Sequence, residues 1–523
     1  MKNALLSLML IIALSSCRQK TSPEPLKESP GLYSKNFQPA AFENDNRKEN
    51  IASLAGKLHE LIVAHAEERH IPGVAYGVVV DDELVLSSGT GLMNREKKLP
   101  ARTSTAFRIA SMSKSFTAMA IVKLRDEGRL RLSDPVVKYI PEIAGITYLT
   151  EDSPQISIEN LLTMTAGFPE DNPWGDRQLD ESDAMLTELM ASGPSLSNPP
   201  SYTYEYSNTG YALLGAIIKR VSGRTYQDYI RDEIFKPLGM DQTYWEIDEV
   251  AEDQLAIGYR WEDEKWKLEP MLHDGSYGAM GGLITTIEDF SKYVSFHLSA
   301  WPPRSGVDKG PVKRSSLREM HTPQFSRLYA KAEDYNGDTC ALINGYGYGL
   351  GIRQDCHGIT WVSHGGALPG FGSNYVFFPE YGIGLMAFGN LTYTTPWPYD
   401  KIAQLLFEKG KLQPRSLPVS DILKERQAQV TELIQQWDTV QGNELLAENF
   451  YLDKSRGHRM ADWASIWEQA GAIDSVSEVS PYNQLRGQYK IYTKNGIVRV
   501  YFTLSPEPDP KVQQLEKIFE AGD

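Results

Sequence analysis

Ser111 and Lys114 lie three residues apart in the stretch RIASMSKSFTAMAIVKL, which runs from residue 108 to residue 124. A serine hydroxyl is a weak nucleophile at neutral pH and needs a base. A lysine amine can serve as that base when burial lowers its pKa. Residues at this spacing are neighbours on one face of a helix. The pair therefore predicts a nucleophile with its base, and the alternative is a serine that only caps a helix.

A phenol and an amide, Tyr206 and Asn208, flank Ser207 just before a second helical pattern. A phenol placed between polar groups can give or take a proton during catalysis. An asparagine side chain can hydrogen-bond a lysine or a substrate amide. The alternative is an ordinary turn with a helix cap.

His364 ends an apolar run typical of a strand, and Gly365 and Gly366 follow it. Glycines at such a place let a substrate lie close to the strand backbone. The backbone N–H of Ala367, together with that of Ser111, could polarise a carbonyl as an oxyanion hole. The alternative is a hydrogen-bonded histidine at the edge of a sheet.

These groups need a helix and a sheet to hold them together. The residues after Lys114 are apolar nearly all round, which predicts a buried helix, and Gly128 is a suitable C-cap for it. Ser111 would then lie at the first turn, where free backbone N–H groups favour developing negative charge.

Strand patterns occur at both ends of a helix-rich middle. Residues 50–69 have helical periodicity, and residues 73–89 read as two strands joined at Asp81-Asp82. Short strands return from Tyr346 to Asn390, with connections that favour antiparallel pairing. We therefore expect one antiparallel sheet built from distant segments.

The first residues, MKNALLSLMLIIALSSC, resemble a bacterial lipoprotein signal over 1–17. In such proteins the cysteine, here Cys17, is lipidated and tethers the chain to a membrane. The alternative is an ordinary secretory signal with a chance cysteine. Residues 18–48 lack apolar periodicity and predict a disordered tether. The expected location is the bacterial cell envelope, either periplasm-facing or outer-membrane-anchored.

The rest of the chain is predicted to hold two domains, 49–412 and 413–523. The second should be a small α+β domain of unknown role, with a hairpin that turns at Asn495-Gly496. Cys340 and Cys356 could form a disulfide in an oxidising compartment or remain free thiols. The net charge of −15 argues against nucleic acid as a partner.

The three groups in this order resemble the serine β-lactamase and penicillin-binding-protein superfamily, over about residues 50–410. The phrases LLTMTAGF, IFKPLGM and GGLITTIEDFSKY are similar to those of its class C β-lactamase-like branch, which includes D-alanyl-D-alanine carboxypeptidases, D-aminopeptidases and esterases. The resemblance implies an α/β (α+β) fold of the β-lactamase/transpeptidase type, in which an antiparallel sheet flanked by helices adjoins an all-helical region.

The resemblance also implies roles. Ser111 would attack the substrate and form an acyl-enzyme, and Lys114 would take part in activating the Ser111 hydroxyl. Tyr206 would act with Lys114 as general base and as acid to the leaving group. Asn208 would orient Lys114 or the substrate. His364 stands where much of the superfamily has a lysine. The oxyanion hole would be the N–H groups of Ser111 and Ala367, with Gly365 and Gly366 against the substrate.

The expected substrate is a small ester, a D-amino-acid peptide or another peptidoglycan-derived molecule, or a β-lactam, and neither a metal nor an organic cofactor is expected. A histidine in the third motif is mostly neutral near pH 7, which favours neutral esters and small amides over free carboxylates. Residues 168–200, with Trp174, could form one wall of the substrate site, and residues 299–345 are typical of an insertion near the last strands. The alternative function is a penicillin-binding or cell-wall sensing lipoprotein that does not hydrolyse its ligand.

Overall fold

The computed structural model describes residues 33–437 and 439–522, apart from the side chains of 439–441. The predicted signal over 1–17, Cys17 and the first part of the predicted tether lie outside the described residues. None of the helices within these described ranges combines the length and the apolar character needed to cross a bilayer.

The central element is a nine-stranded antiparallel sheet, in the order β3-β2-β1-β14-β13-β12-β11-β10-β9. The strands up to residue 410 are β1 Gly73–Val80, β2 Glu83–Asn94, β3 Leu99–Pro100, β4 Phe107–Arg108, β5 Thr243–Tyr244, β6 Tyr259–Glu262, β7 Lys265–Leu268, β8 Ile284–Thr285, β9 Phe325–Glu333, β10 Thr339–Tyr346, β11 Gly351–Gln354, β12 Thr360–Leu368, β13 Phe371–Phe378 and β14 Ile383–Gly389. Strand β1 pairs with both β2 and β14, so the expected sheet from distant segments is confirmed.

Helices cover both faces of this sheet and form the helix-rich middle. They are α1 Arg47–Ser53, α2 Ala55–Glu68, α3 Ser113–Asp126, α4 Ile158–Leu162, α5 Asn172–Gly175, α6 Asp183–Ala191, α7 Asn208–Ser222, α8 Tyr226–Ile230, α9 Lys236–Leu238, α10 Gly278–Gly281, α11 Ile287–Leu298, α12 Arg314–Met320 and α13 Tyr399–Gln404. The helix predicted over 50–69 corresponds to α1 and α2.

Two hydrophobic cores lie on opposite faces of the sheet. In β1, Ala75 and Val79 belong to the core shared with α3, α7 and α11, whereas Val74 and Val78 belong to the core shared with α1, α2 and α13. Successive strand residues point to opposite faces, so a strand buried throughout supplies both cores.

Helix α3 is buried in the first of these cores, as its sequence predicted. Eleven of its fourteen residues are buried, and it ends just before Gly128, which has a left-handed backbone with φ +72°. Ser111 belongs to a short 3₁₀ turn, Ala110–Met112, directly before α3. The nucleophile candidate therefore lies at the start of a helix that is buried on nearly all sides.

The chain after residue 420 has a sheet and a hydrophobic cluster of its own. Its elements are α14 Asp421–Gln436, α15 Thr439–Leu445, α16 Phe450–Asp453, α17 Arg456–Ala470, β15 Ile473–Val476, β16 Ser480–Asn483, β17 Arg486–Thr493, β18 Gly496–Leu504 and β19 Val512–Ala521. Thr493 pairs with Gly496, so the hairpin turns at Lys494-Asn495, one residue earlier than predicted, because Gly496 is already in the ladder.

Cys340 and Cys356 form a disulfide, which decides between the two alternatives that the sequence left open. The bond joins β10 to the segment that follows β11. It therefore ties the outer β9–β10 hairpin, part of the segment over 299–345, to the rest of the sheet.

Candidate active site

Ser111 and Lys114 are in direct contact. The Lys114 Nζ lies 3.0 Å from the Ser111 Oγ, and the two side chains are almost fully buried. The residue before the serine, Ala110, has a left-handed backbone with φ +51°. Such strained positions cost free energy and occur at functional sites, and this one sets the direction in which the serine points.

Lys114 has two carbonyl oxygens as close partners, and the Met280 sulfur lies farther away, at 3.8 Å from its Nζ. Its Nζ donates to Asn208 Oδ1 at 2.7 Å and to the backbone oxygen of Met280 at 2.8 Å. A neutral amine has two N–H groups and one lone pair, and these two acceptors take both N–H groups. The lone pair is then left for the Ser111 hydroxyl, which is the arrangement a general base requires.

Burial of the Lys114 amine disfavours its charged form. Burial lowers the pKa of Lys114 to about 7, although the carboxylates of Asp176 and Asp171 act in the opposite direction. Burial also raises the pKa of Asp176 to about 7, against the effect of Lys114. Both groups therefore titrate near neutral pH.

The short helix α5 and its flanking residues, over 171–176, fix the start of α7 and with it Asn208. The Asp171 carboxylate accepts the backbone N–H groups of Asn208 and Thr209 at 2.6 and 2.9 Å, as expected of an anion at a helix N-terminus. Asn208 Nδ2 donates to Asn172 Oδ1 at 3.2 Å. The amide is thus oriented with its oxygen towards Lys114.

Tyr206 completes this group. Burial raises the pKa of its hydroxyl well above the usual value, although the neighbouring Ser111 side chain acts in the opposite direction. Its ring centroid lies 4.9 Å from the Lys114 Nζ. Tyr206 is therefore protonated at neutral pH and able to donate a proton beside the serine.

His364 lies on β12 across from this group. Its Nδ1 is 2.5 Å from the Gly365 carbonyl oxygen, and its Nε2 is 3.1 Å from the Tyr346 hydroxyl. A carbonyl can only accept, so Nδ1 carries the proton, and Nε2 accepts from Tyr346. Burial and the nearby Lys114 lower the pKa of His364 to about 3. The ring is therefore neutral and cannot provide positive charge to a substrate.

The two glycines differ in what surrounds them. A Cβ on Gly366 would lie 2.2 Å from the Ile109 carbonyl oxygen, whereas a Cβ on Gly365 would lie 3.1 Å from the Asn374 side-chain amide and 3.9 Å from the Ser373 carbonyl oxygen. Gly366 thus lets β12 lie directly on the turn that carries Ser111, and brings the backbone of Ala367 towards it. Within the described residues, β11 pairs with β12 only as far as Ser363, so the edge beyond has room for a substrate.

The segment around LLTMTAGF contacts the residues that flank Tyr206. Met164 has a left-handed backbone with φ +58°, its carbonyl oxygen accepts from Glu205 N at 2.9 Å, and its sulfur lies 3.1 Å from Ser207 N. These contacts hold the residues on either side of Tyr206, so this segment has a positioning role.

The structure brings together the predicted residues Ser111, Lys114, Tyr206, Asn208 and His364. It adds groups that sequence reasoning missed: the Met280 carbonyl, the Tyr346 hydroxyl and the Asp176 carboxylate. No catalytic motif surrounds any of these three groups in the sequence. The only local feature near Met280 is the glycine-rich run over 278–282.

Residues 58–409 match the family model described as Beta-lactamase. Among curated proteins, the chain is 31% identical over 337 residues to Protein flp of Staphylococcus aureus (strain MW2), covering 64% of this chain and 62% of that protein. It is 29% identical over 383 residues to Beta-lactamase-like protein 2 of Dictyostelium discoideum, covering 70% of this chain and 66% of that protein. The chain thus spans less than two thirds of the length of the first of these relatives.

Two solved structures share the fold. The octameric penicillin-binding protein homologue from Pyrococcus abyssi has a TM-score of 0.56 at 24% identity and covers 89% of this chain and 98% of its own. The penicillin binding protein from Bacillus halodurans has a TM-score of 0.51 at 24% identity and covers 66% of this chain and 98% of its own.

These matches confirm the superfamily and the fold class that the sequence indicated. The family supports serine-hydrolase chemistry in general. The matched segment contains Ser111, Lys114, Tyr206, Asn208 and His364 and leaves the chain after residue 409 outside. The chain therefore belongs to the Beta-lactamase family.

Proposed function

We propose that this chain is a serine hydrolase that cleaves an ester or amide through an acyl-enzyme on Ser111. The observation that carries the proposal is the set of contacts around Lys114, whose two carbonyl partners leave its lone pair for the Ser111 hydroxyl. A base of pKa about 7 is well suited to catalysis at neutral pH.

The proposed reaction has two halves. The Ser111 oxygen bonds to the substrate carbonyl carbon, and its proton passes to Lys114. The N–H groups of Ser111 and Ala367 stabilise the oxyanion. The bond to the leaving group then breaks, Tyr206 gives its proton to the leaving atom, and Lys114 returns a proton to Tyr206. In the second half, water attacks the acyl carbon, and Ser111 regains its proton as the acid product leaves.

We further propose that the protein works in the bacterial cell envelope, held to a membrane through a lipid on Cys17. The Cys340–Cys356 disulfide supports an oxidising compartment. The candidate substrates remain small esters, D-amino-acid peptides and β-lactam-like amides.

The test uses p-nitrophenyl acetate and benzylpenicillin with intact-protein mass spectrometry. The wild type is expected to release p-nitrophenol continuously and to carry a transient acyl mass. Ser111→Ala should lower the rate by at least about a thousandfold and carry no adduct. Ser115→Ala is the matched control, because its buried hydroxyl donates to the Met112 carbonyl oxygen at 2.9 Å and it is not a member of the proposed catalytic group.

The outcomes separate the alternatives. A single burst followed by a stable adduct would favour a slow acyl-enzyme, which is the binding or sensing role. No release, together with no labelling by a fluorophosphonate probe, would overturn the hydrolase proposal.

A further inference from the structure

A cavity of about 320 Å³ opens beside the proposed catalytic group. This volume is within the range of small-molecule sites. Twelve residues line it: Tyr204, Tyr206, Phe325, Arg327, Tyr329, Asn344, Gly345, Tyr346, Gly351, Ser363, His364 and Gly365. The segment over 299–345 therefore contributes to the substrate side, whereas none of these lining residues comes from 168–200.

One wall of the cavity is the outer β9–β10 hairpin. Phe325, Arg327 and Tyr329 alternate along β9, so they face the same side of the sheet. Arg327 is directly opposite Asn344 in the ladder, which places a guanidinium and an amide next to each other on that wall. The disulfide at Cys340 anchors this hairpin.

The cavity holds a single permanent charge. Among its twelve lining residues there is no carboxylate, and His364 is neutral, so Arg327 is the only cation. Within the described part of the chain, no carboxylate or carbonyl is hydrogen-bonded to its guanidinium. The other walls are mainly aromatic.

Arg327 is an exposed residue of β9 that lines the cavity, so its guanidinium lies at the open side, where it can meet an anion that enters from solvent. The planar guanidinium can bind a carboxylate through two parallel hydrogen bonds, and the Asn344 amide can donate one more. The rings can pack against the apolar or aromatic part of the same molecule.

The cavity also has a defined place in the proposed reaction. Tyr206, which would give its proton to the leaving atom, is one of the lining residues. The leaving-group half of the substrate therefore points into this cavity, with its far end towards Arg327.

We propose that Arg327 is a specificity-determining residue that binds a carboxylate on an aromatic or apolar leaving group. This inference rests on the proposed function of the same site. The neutral His364 by itself favours neutral esters and small amides. Arg327 supplies a positive charge from the outer hairpin instead, so an anionic substrate is expected.

The experiment compares 3-acetoxybenzoate with 3-acetoxybenzamide, two acetate esters of one shape whose leaving groups are anionic and neutral. The measured quantity is the ratio of kcat/KM for the anionic ester to that for the neutral ester. Arg327→Met should lower this ratio by about tenfold or more, the usual effect of losing a charged hydrogen bond. Arg327→Lys should restore part of it, and added salt should lower it in the wild type.

Lys331→Met is the matched control, since Lys331 is an exposed cation on the same strand that does not line the cavity. Its ratio should equal that of the wild type. An unchanged ratio in Arg327→Met, or an equal fall in Lys331→Met, would overturn the role of Arg327. Failure of the wild type to hydrolyse either ester, with no acyl mass on Ser111, would instead overturn the proposed function.

Discussion

At the residue scale, the site depends on how the charge of one amine is controlled. Lys114 is buried among carbonyl oxygens, and the largest opposing influence on its charge comes from Asp176, a buried carboxylate whose Oδ1 has no hydrogen-bond partner in the described structure. Desolvation favours the neutral amine, while a negative charge favours the protonated one. The balance between them sets the pH at which the base becomes available.

The first prediction is a pH dependence. With the pKa of Lys114 at about 7, the neutral base predominates above that pH, so kcat/KM should rise as pH increases through about 7. Asp176→Asn removes the charge that favours protonation, so the pKa of Lys114 should fall and the rise should move to lower pH by about one unit. The measurement is the pH profile of ester hydrolysis.

Asp180→Asn is the control for this shift, because Asp180 is an exposed carboxylate in the same segment. Its profile should match that of the wild type. A rise that moves to higher pH in Asp176→Asn would contradict the proposed influence of this carboxylate on the base.

The sequence revealed the site residues that belong to local motifs. It did not reveal those that the fold brings to the site from other segments. Ser111 with Lys114 and Tyr206 with Asn208 are close in sequence before helical patterns, so their types and spacing were informative. Asp176 and Arg327 belong to segments without apolar periodicity. Their places depend on how loops and an outer hairpin pack, which no local pattern encodes.

At the element scale, the proposed oxyanion hole depends on the contact between β12 and the turn before α3. Gly366 lies where a Cβ would meet the Ile109 carbonyl oxygen at 2.2 Å and the Ser373 hydroxyl at 2.3 Å. Backbone oxygens cannot turn aside as a flexible side chain can. The strand and the turn can therefore approach this closely only at a glycine.

The second prediction follows for Gly366→Ala. The added methyl should push β12 away from the turn, lower the free energy of unfolding by about 1–3 kcal/mol and reduce kcat more than KM. Thermal denaturation and ester kinetics measure the two effects. Gly365→Ala is the control for stability, since its Cβ would lie 3.1 Å from the Asn374 side-chain amide and 3.9 Å from the Ser373 carbonyl oxygen; an equal loss of stability in both variants would refute the argument.

The sequence predicted the inner strands better than the outer ones. Strand β1 is apolar throughout and β14 nearly so, and both were recognised. Strand β9 is exposed along most of its length, so it has no alternation of buried and exposed residues to reveal it. The hairpin that carries Arg327 was therefore seen only as an insertion.

At the scale of the whole molecule, the chain after residue 420 is structurally separate from the site. It has its own hydrophobic cluster, and none of its described side chains lies among those around Ser111. The connection before it is tied to the larger part through Arg415, which donates to Asp81 at 2.6 Å, and through the bridge between Ala41 and Ser416.

The third prediction is that a chain ending at Leu417 still folds and reacts. Fluorophosphonate labelling of Ser111 and kcat/KM for p-nitrophenyl acetate should stay within about threefold of the full chain, because distant sites with no shared partners contribute independently. Labelling lost in a soluble truncated chain would show that the last hundred residues hold the site in place.

The pairing of β1 with β14 has a consequence for biosynthesis. Val74 is hydrogen-bonded into a ladder opposite Gly389, so a ribosome must translate more than three hundred codons before the inner strand meets its neighbour. Contacts of such long range form slowly and late. The nine-stranded sheet therefore cannot be completed during most of the synthesis of the chain.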